Sequence, residues 1–473
     1  MSPQPPQQRR VATMFGLVML FQIAIATGYF SFPALSHFIM EELTLDATAL
    51  GMLSLVLSLI GLPTGVVAGW LTDRWGERLL MSMSGLLLAV GLVILWQASS
   101  LASVTAGLAL FGLAYSAVPA ATNRSVAQYF SSRNRSLFMS LKQSGSTIGQ
   151  ALASGTLPTL AIAASWRGTE GVMALVSIAA AAAIFLVYRD GDALPRPMPR
   201  DRSAVATLPA AAVAPPSAAA VAPPSAAAVA PPSAAAVAPP SAAAAPRAAE
   251  PAFTMPPIPA TAAPSAISVG YLWQWFAGGQ VWLAFLCAAA LWLAQGTLTI
   301  FLIPAGIDMF QFDVVQAGLS LTLAQVCGAL GRPLLGAISD RVQARIPVMA
   351  VTAVLAGLFV LLLLRGPAWT RWPAMALIGF TVFGWLGVYF TFVTESMGVA
   401  RAGLATGISS LLGGFGFGVG PLLFGLIADT RGYASAVQFV SILLLTVGLF
   451  AVAHLSVAGV RRSTPTSSTR SAG

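Results

Sequence analysis

Apolar residues in this chain fall into long runs separated by short polar interruptions. A helix needs about 20 mostly apolar residues to cross a bilayer, and it alone satisfies every backbone amide within one segment. Twelve runs reach that length, near 12–35, 48–71, 79–98, 102–123, 136–162, 169–188, 277–306, 315–338, 346–364, 372–395, 403–427 and 434–457. The pattern predicts an all-α, polytopic membrane protein with twelve transmembrane helices arranged as two six-helix bundles. Arg9 and Arg10 precede the first run as in a signal peptide, but the run is long and no small-residue cleavage site with a soluble domain follows. It is therefore read as helix one.

Between the sixth and seventh runs the pattern changes. The unit Val-Ala-Pro-Pro-Ser-Ala-Ala-Ala begins at Val213, Val221, Val229 and Val237. Paired prolines remove amide donors and break any helix, so this stretch cannot span lipid despite its Ala and Val. The expected organisation is an N-terminal bundle over 1–188, a disordered Ala/Pro-rich linker over 189–272, a C-terminal bundle over 273–460 and a tail over 461–473. As a flexible coil the linker spans on the order of 50 Å, which permits relative motion of the bundles and specifies no chemistry.

Composition agrees with the pattern. Of 473 residues 57% are apolar and 8% charged, against roughly a quarter charged in soluble proteins. The net charge of +9 does not indicate nucleic-acid binding, because the charges are scattered singly between apolar runs and form no basic patch. They report topology instead. With both termini inside, the short cytoplasmic loops hold Arg74, Arg78, Arg124, Arg133, Arg135, Arg341, Arg345 and Arg401, and the external loops hold only Arg167, Arg365, Arg371 and Arg431. Cys287 and Cys327 both lie inside apolar runs, so neither a disulfide framework nor a cysteine metal site is supported.

A repeat appears at a shift of 267 residues, where Gly69-Trp-Leu-Thr-Asp73-Arg74-Trp-Gly76-Glu-Arg78 aligns with Gly336-Ala-Ile-Ser-Asp340-Arg341-Val-Gln343-Ala-Arg345. One shift also pairs the starts of helices five and eleven, which implies two pseudo-symmetric halves. The pattern Gly-x-Leu-x-Asp-Arg-x-Gly-x-Arg resembles the signature of the major facilitator superfamily of secondary transporters. That resemblance implies alternating access about a central site, no cofactor, and gates built from the two motif copies. Gly69 is expected to let helix two approach a neighbour closely, and Asp73 to pair with arginines or cap a helix N-terminus. Gly76, Arg74, Arg78, Gly336, Asp340, Arg341 and Arg345 complete the expected gates. Glu395 falls at the cytoplasmic end of helix ten, where it can pair with Arg341 or Arg345 or serve as a proton site.

Ionisable side chains inside the bilayer are functional candidates by default. Lys142, the only lysine beside 23 arginines, lies about 10 Å into helix five from Arg135. It either faces a substrate or snorkels to the interface. Arg332 lies about 12 Å into helix eight from Asp340. The string Gly331-Arg332-Pro333-Leu-Leu-Gly336 resembles the helix-eight pattern of the monocarboxylate and oxalate/formate branches, which implies a carboxylate ligand for Arg332. Its alternative is to bond backbone carbonyls freed by Pro333. Gln143 and Gln295 are candidates to orient a substrate, and Tyr29, Trp292, Trp385 and Tyr389 to form aromatic walls, or else to pack. Asp308 and His37 near the outer helix ends read as exposed loop residues.

The expected function is secondary transport of a small organic anion, with protons as a possible partner, by a functional monomer in a bacterial inner membrane. Drug/proton antiporters of the superfamily carry a buried Arg in helix four and a Gly-Pro-rich helix five, which this chain lacks, so efflux of hydrophobic compounds ranks second. A receptor or scaffold would need neither a symmetric gate nor buried cations. An enzyme is disfavoured, since no histidine cluster, Gly-x-Ser-x-Gly or Gly-Lys-Ser/Thr loop is present. Deleting Ala210–Ala244 is expected to leave transport by reconstituted protein largely intact, whereas a complete loss would assign the linker a role of its own.

Overall fold

The structure is a computed structural model that describes residues 5–129, 132–189, 281–397 and 402–463. The linker and the C-terminal tail, apart from residues 189, 461, 462 and 463, lie outside the described residues. The N-terminal half consists of α1 (Pro5–Tyr29), α2 (Ser31–Glu42), α3 (Ala47–Trp75), α4 (Glu77–Trp96), α5 (Leu101–Tyr129) and α6 (Ser132–Val187). The C-terminal half consists of α7 (Val281–Phe310), α8 (Val314–Val342), α9 (Arg345–Arg365), α10 (Arg371–Ile378), a π-helical segment (Gly379–Phe383), α11 (Leu386–Met397), α12 (Ala402–Arg431) and α13 (Tyr433–Ser463).

Two of the expected membrane helices are each built from two pieces. The first combines α1 and α2, which break at Phe30, and the tenth runs from α10 through the π segment into α11. Conversely, α6 holds the fifth and sixth spans end to end. Its break is Ser165, at φ 63° and ψ 158°, whose hydroxyl accepts the Gly168 amide at 3.1 Å and so caps the second piece. Among the described residues the eleven long apolar helical segments make twelve spans, because α6 supplies two, as the apolar pattern predicts.

The 267-residue shift is visible in backbone detail. Asp46 caps α3 by accepting the Ala49 amide, and Asp313 caps α8 by accepting the Gln316 amide, each at 2.7 Å. Two residues before each cap, Thr44 and Gln311 take left-handed φ values of 50° and 57°. At the other ends of α3 and α8 the copies diverge. Gly76 turns the chain at φ 86°, ψ 166°, a well essentially closed to side-chain-bearing residues. Gln343 makes the equivalent turn at φ 54°, ψ 32°, the left-handed helical well that a non-glycine residue can enter. The second copy therefore dispenses with the glycine because its turn follows a different backbone path.

The halves meet along α3 with α12 and α6 with α8, at glycines pressed against backbone. A Cβ at Gly51 would lie 2.5 Å from the Pro421 carbonyl, and Gly425 and Gly318 sit as tightly against the carbonyls of Ala47 and Ser154. Lipid offers no hydrophobic drive between helices, so close approach of small residues supplies van der Waals attraction instead. Asp429 on α12 clamps this contact by accepting the Ala47 and Thr48 amides at 2.9 and 2.7 Å, at the positive end of α3. These contacts belong to the end of the molecule away from the motif copies. At the motif end the expected close approach of Gly69 is absent: a Cβ at Gly69 or Gly336 would meet nothing within 4 Å. The contacts joining the halves are concentrated at the opposite face, which leaves both motif glycines without a neighbour.

Replacing Gly76 by Ala is expected to cost about 1–3 kcal/mol through backbone strain. Gln343→Gly is expected to be tolerated, and thermal unfolding of the detergent-solubilised protein distinguishes the two.

Candidate transport site and gates

The centre of the molecule is organised by the crossing of α8 with the π segment. Gly328 and Gly331 of α8 lie directly against Phe383 and the Phe380 carbonyl, and Gly379 lies against the backbone of Ala324. A π turn misaligns the helical ladder and releases carbonyls, and such turns recur at functional sites. Arg332 takes one of them, its Nε donating to the Phe383 oxygen at 3.3 Å. The carbonyl it bonds therefore belongs to the facing helix and is not one freed by Pro333.

Arg332 also reaches the other half. Its Nη1 donates to Thr147 Oγ1 on α6 at 3.1 Å, and Nη2 has no hydrogen-bond partner among the described residues. Next to Thr147, Ser146 shares a 2.6 Å hydrogen bond with the Tyr115 hydroxyl of α5, and Tyr115 stacks on Tyr29 of α1 at a centroid distance of 4.0 Å. Tyr29, Tyr115, Ser146, Thr147 and Arg332 thus form one polar-aromatic junction between the halves. Tyr115, Ser146 and Thr147 carry no signal in a single sequence that separates them from ordinary helix residues.

Lys142 stands one turn before Ser146 on α6 and is 1% exposed. Its ammonium donates to Asn123 Oδ1 at 2.7 Å and Thr122 Oγ1 at 3.1 Å, both on α5. Both acceptors are neutral, and neither Lys142 nor Arg332 forms an ion pair among the described residues. Gln143, turned about 100° away on the helix, is exposed.

A second group lies within the C-terminal half. Trp385 packs edge-on against Trp292 at 5.4 Å and tilted against Tyr389 at 5.3 Å. The indole N–H groups of both tryptophans and Oε1 of the buried Gln295 have no hydrogen-bond partner among the described residues. Trp385 is two positions from Phe383, the residue whose carbonyl Arg332 holds, so this aromatic cluster adjoins the junction through the turn between the π segment and α11. Asp308 is exposed, and His37 pairs with Glu41 at 3.7 Å.

The motif ends carry two different charge networks. In the C-terminal copy Arg345 grips both oxygens of Glu395 at 3.1 and 2.9 Å, bonds Ser339 Oγ at 3.1 Å, and also pairs with Asp340. A bidentate fork of this kind is among the stronger exposed pairs. In the N-terminal copy Arg78 donates to the Phe185 carbonyl and lies 4.8 Å over that ring. Arg124 of α5 bonds the Thr72 carbonyl at 2.6 Å and stands 3.8 Å from the buried Glu77. Glu77 lies inside the first motif copy, and in the sequence Arg124 carries only the signal of a loop charge. Arg74 rests over Trp70 at 5.6 Å and Arg341 is exposed; the Asp73 side chain lies outside the described residues.

Glu170 likewise carries no signal of a site in the sequence. The sixth apolar run begins beside it, so it reads as an interfacial residue, yet it is completely buried and bonded to Ser31. The contact depends on the break at Phe30, which local pattern does not reveal.

The Major Facilitator Superfamily sequence model matches residues 17–421. An uncharacterised MFS-type transporter of Mycobacterium tuberculosis is 31% identical over 159 residues, which is 33% of this chain and 36% of that protein. A facilitated glucose transporter of Danio rerio, solute carrier family 2 member 10, is 31% identical over 30% of this chain and 27% of its own length. The aligned part is thus about a third of these curated relatives. A bacterial homologue of the human lysosomal transporter Spinster, solved inward-facing and unoccupied, superposes with a TM-score of 0.69 at 13% identity, covering 97% of this chain and 98% of that one. The nucleoside transporter NupG superposes with a TM-score of 0.65 at 10% identity, covering 94% and 99%. With the twelve-span architecture, the match over residues 17–421 establishes that the chain belongs to the Major Facilitator Superfamily.

Proposed function

We propose that this transporter carries a small organic anion, a carboxylate, by alternating access between its two halves. The observation that carries the reading is that each half holds one cation inside the membrane, the buried Lys142 and the half-buried Arg332, and that no carboxylate answers either among the described residues. A charge held at membrane depth against neutral acceptors alone is costly, and an anionic ligand relieves that cost. Arg332 suits the task because Nη2 has no partner among the described residues and Nη1 spends its bond on a neutral hydroxyl. A carboxylate accepting from the guanidinium replaces that bond with a charge-assisted one about twice as strong. Because Thr147 belongs to the opposite half, the exchange alters a contact between the halves. Differential contact of this kind lets a substrate shift a conformational equilibrium.

The motif ends supply the gates in this reading. Gly69 and Gly336 have open space beside them, into which a partner helix can close, and the Arg345–Glu395 and Arg124–Glu77 pairs brace the helix ends that move. The arginine distribution supports a cytoplasmic position for this face and both termini, and the reading takes the membrane to be a bacterial inner membrane. The resemblance of Gly331-Arg332-Pro333 to the monocarboxylate and oxalate/formate branches points to the same substrate class, and nothing in the reading requires more than a monomer. Gln143, Gln295, Trp385 and Tyr389 are secondary candidates for the substrate path. Export of hydrophobic compounds is the second reading, favoured by the Trp292–Trp385–Tyr389 cluster with its unpartnered indole donors.

Uptake of labelled mono- and dicarboxylates into proteoliposomes is the test. At least one carboxylate is expected to accumulate, and Arg332→Ala and Lys142→Ala are each expected to reduce its uptake by about tenfold or more, the loss of one charge-assisted contact. Transport that ignores both substitutions, or that carries only uncharged hydrophobic compounds, overturns the anion reading. Topology is tested separately: a fluorescent reporter fused after Gly473 is expected to be active, and an alkaline phosphatase fused there inactive.

A further inference from the structure

Glu170, Ser31 and the break between α1 and α2 form a buried group that the anion reading does not use. Glu170 and Ser31 are both fully buried. The Ser31 hydroxyl oxygen lies 2.8 Å from Glu170 Oε2, 3.0 Å from Oε1 and 2.8 Å from the Gly28 carbonyl. A serine hydroxyl has one hydrogen to donate and can accept from others. If Glu170 is ionised, three acceptor oxygens compete for that hydrogen and most of a buried negative charge is left unmet. If Glu170 is protonated, its O–H donates to Ser31 Oγ, and Ser31 donates in turn to Gly28. Only the second arrangement leaves no buried charge unmet and gives Gly28 O, Ser31 Oγ and the protonated Glu170 oxygen one partner each.

No charged neighbour alters this count. From α2, His37 is engaged by Glu41, and Glu42 by Arg167. From α1 and α5, Tyr29 stacks on Tyr115, whose hydroxyl is taken by Ser146. On α6 itself, Arg167 is held by Glu42 and the Ala98 carbonyl, and Lys142 by α5. From α4 and α5, Glu77 and Arg124 face each other at the motif end, and Arg78 bonds Phe185. Among the described residues Ser31 is the one hydrogen-bond partner of the Glu170 carboxyl.

We propose that Glu170 is a proton-binding site of this transporter, loaded in the conformation described, and that it releases its proton when the break at Phe30 rearranges. Release breaks the carboxyl O–H bond, leaves the electron pair on the carboxylate, and passes the proton to water admitted at the break. The placement ties the proton to the centre of the molecule. Ser31 begins α2 on one side of the break, and Tyr29 ends α1 on the other, stacked on the tyrosine that adjoins Thr147 and Arg332. The inference does not depend on the substrate being an anion, since it concerns the carboxyl and its hinge alone.

Infrared spectroscopy of the full chain in lipid nanodiscs reads the proton directly. At neutral pH the wild type is expected to show the C=O stretch of a protonated, hydrogen-bonded carboxyl. The band should vanish in Glu170→Gln and move in Ser31→Ala, and raising the pH should titrate it away in the wild type without any substitution. Spin labels at Leu79 and Val342, both exposed near the motif ends, with Cys287 and Cys327 replaced by Ala, then report the halves. Their distance distribution is expected to change with pH in the parent and to stay fixed in Glu170→Gln. The proposal is overturned if the wild type shows no such band, if the band survives in Glu170→Gln, or if that variant keeps the pH response. Should Glu170→Gln fail to fold, Glu170→Asp, with its shorter reach to Ser31, is expected to keep the band at a shifted frequency. An unshifted band then counts against Glu170 as its source. Substrate transport enters none of these readouts, so loss of the carboxylate reading leaves the test intact.

Discussion

Inside a bilayer there is no water to exclude, so helices that must separate and rejoin are held by direct backbone contact and by a few polar clamps. The packing of α3 against α12 and of α6 against α8 is of this kind, with Gly51, Gly318 and Gly425 pressed onto facing carbonyls. Asp429 then fastens α12 to the first amides of α3. Because this contact depends on close approach over a limited length, it can hold one end of the molecule while the other end stands apart. The vacant surroundings of Gly69 and Gly336 are the complement of that arrangement.

At the level where the tight packing ends, the polar groups begin. Arg332 spans the halves, bonded on one side to a carbonyl released by the π segment and on the other to Thr147. Lys142, a turn away along α6, is answered among the described residues by neutral oxygens alone. Among the described residues neither the buried Lys142 nor the half-buried Arg332 meets a counter-charge, which is a poor arrangement for stability and a suitable one for receiving a ligand. Buried charge without a counter-charge thus connects the packing of the fold to its use as a carrier.

The pseudo-symmetric motif copies perform similar bracing with different partners. The Asp46 and Asp313 caps match to the residue, yet Gly76 and Gln343 turn the chain through different wells. Arg345 finds a carboxylate at Glu395, whereas the equivalent Arg78 finds a backbone carbonyl and a ring.

The sequence by itself determined the membrane character, the twelve spans, the twofold repeat and the depth of Lys142 and Arg332. Each of these follows from the length of apolar runs, the cost of lipid-exposed polar groups and the fixed rise of a helix. The depth of a charge was legible, but not its partner. That Lys142 turns to α5, that Arg332 crosses to α6, and that Tyr115, Ser146 and Thr147 complete the junction depend on which helices meet and at what rotation. The same holds for Glu170, whose position at the edge of a run conceals full burial beside a break in α1–α2. A run of apolar residues fixes that a helix crosses the bilayer, whereas rotation about its axis is set by contacts between segments far apart in the chain, and only the tertiary structure decided those.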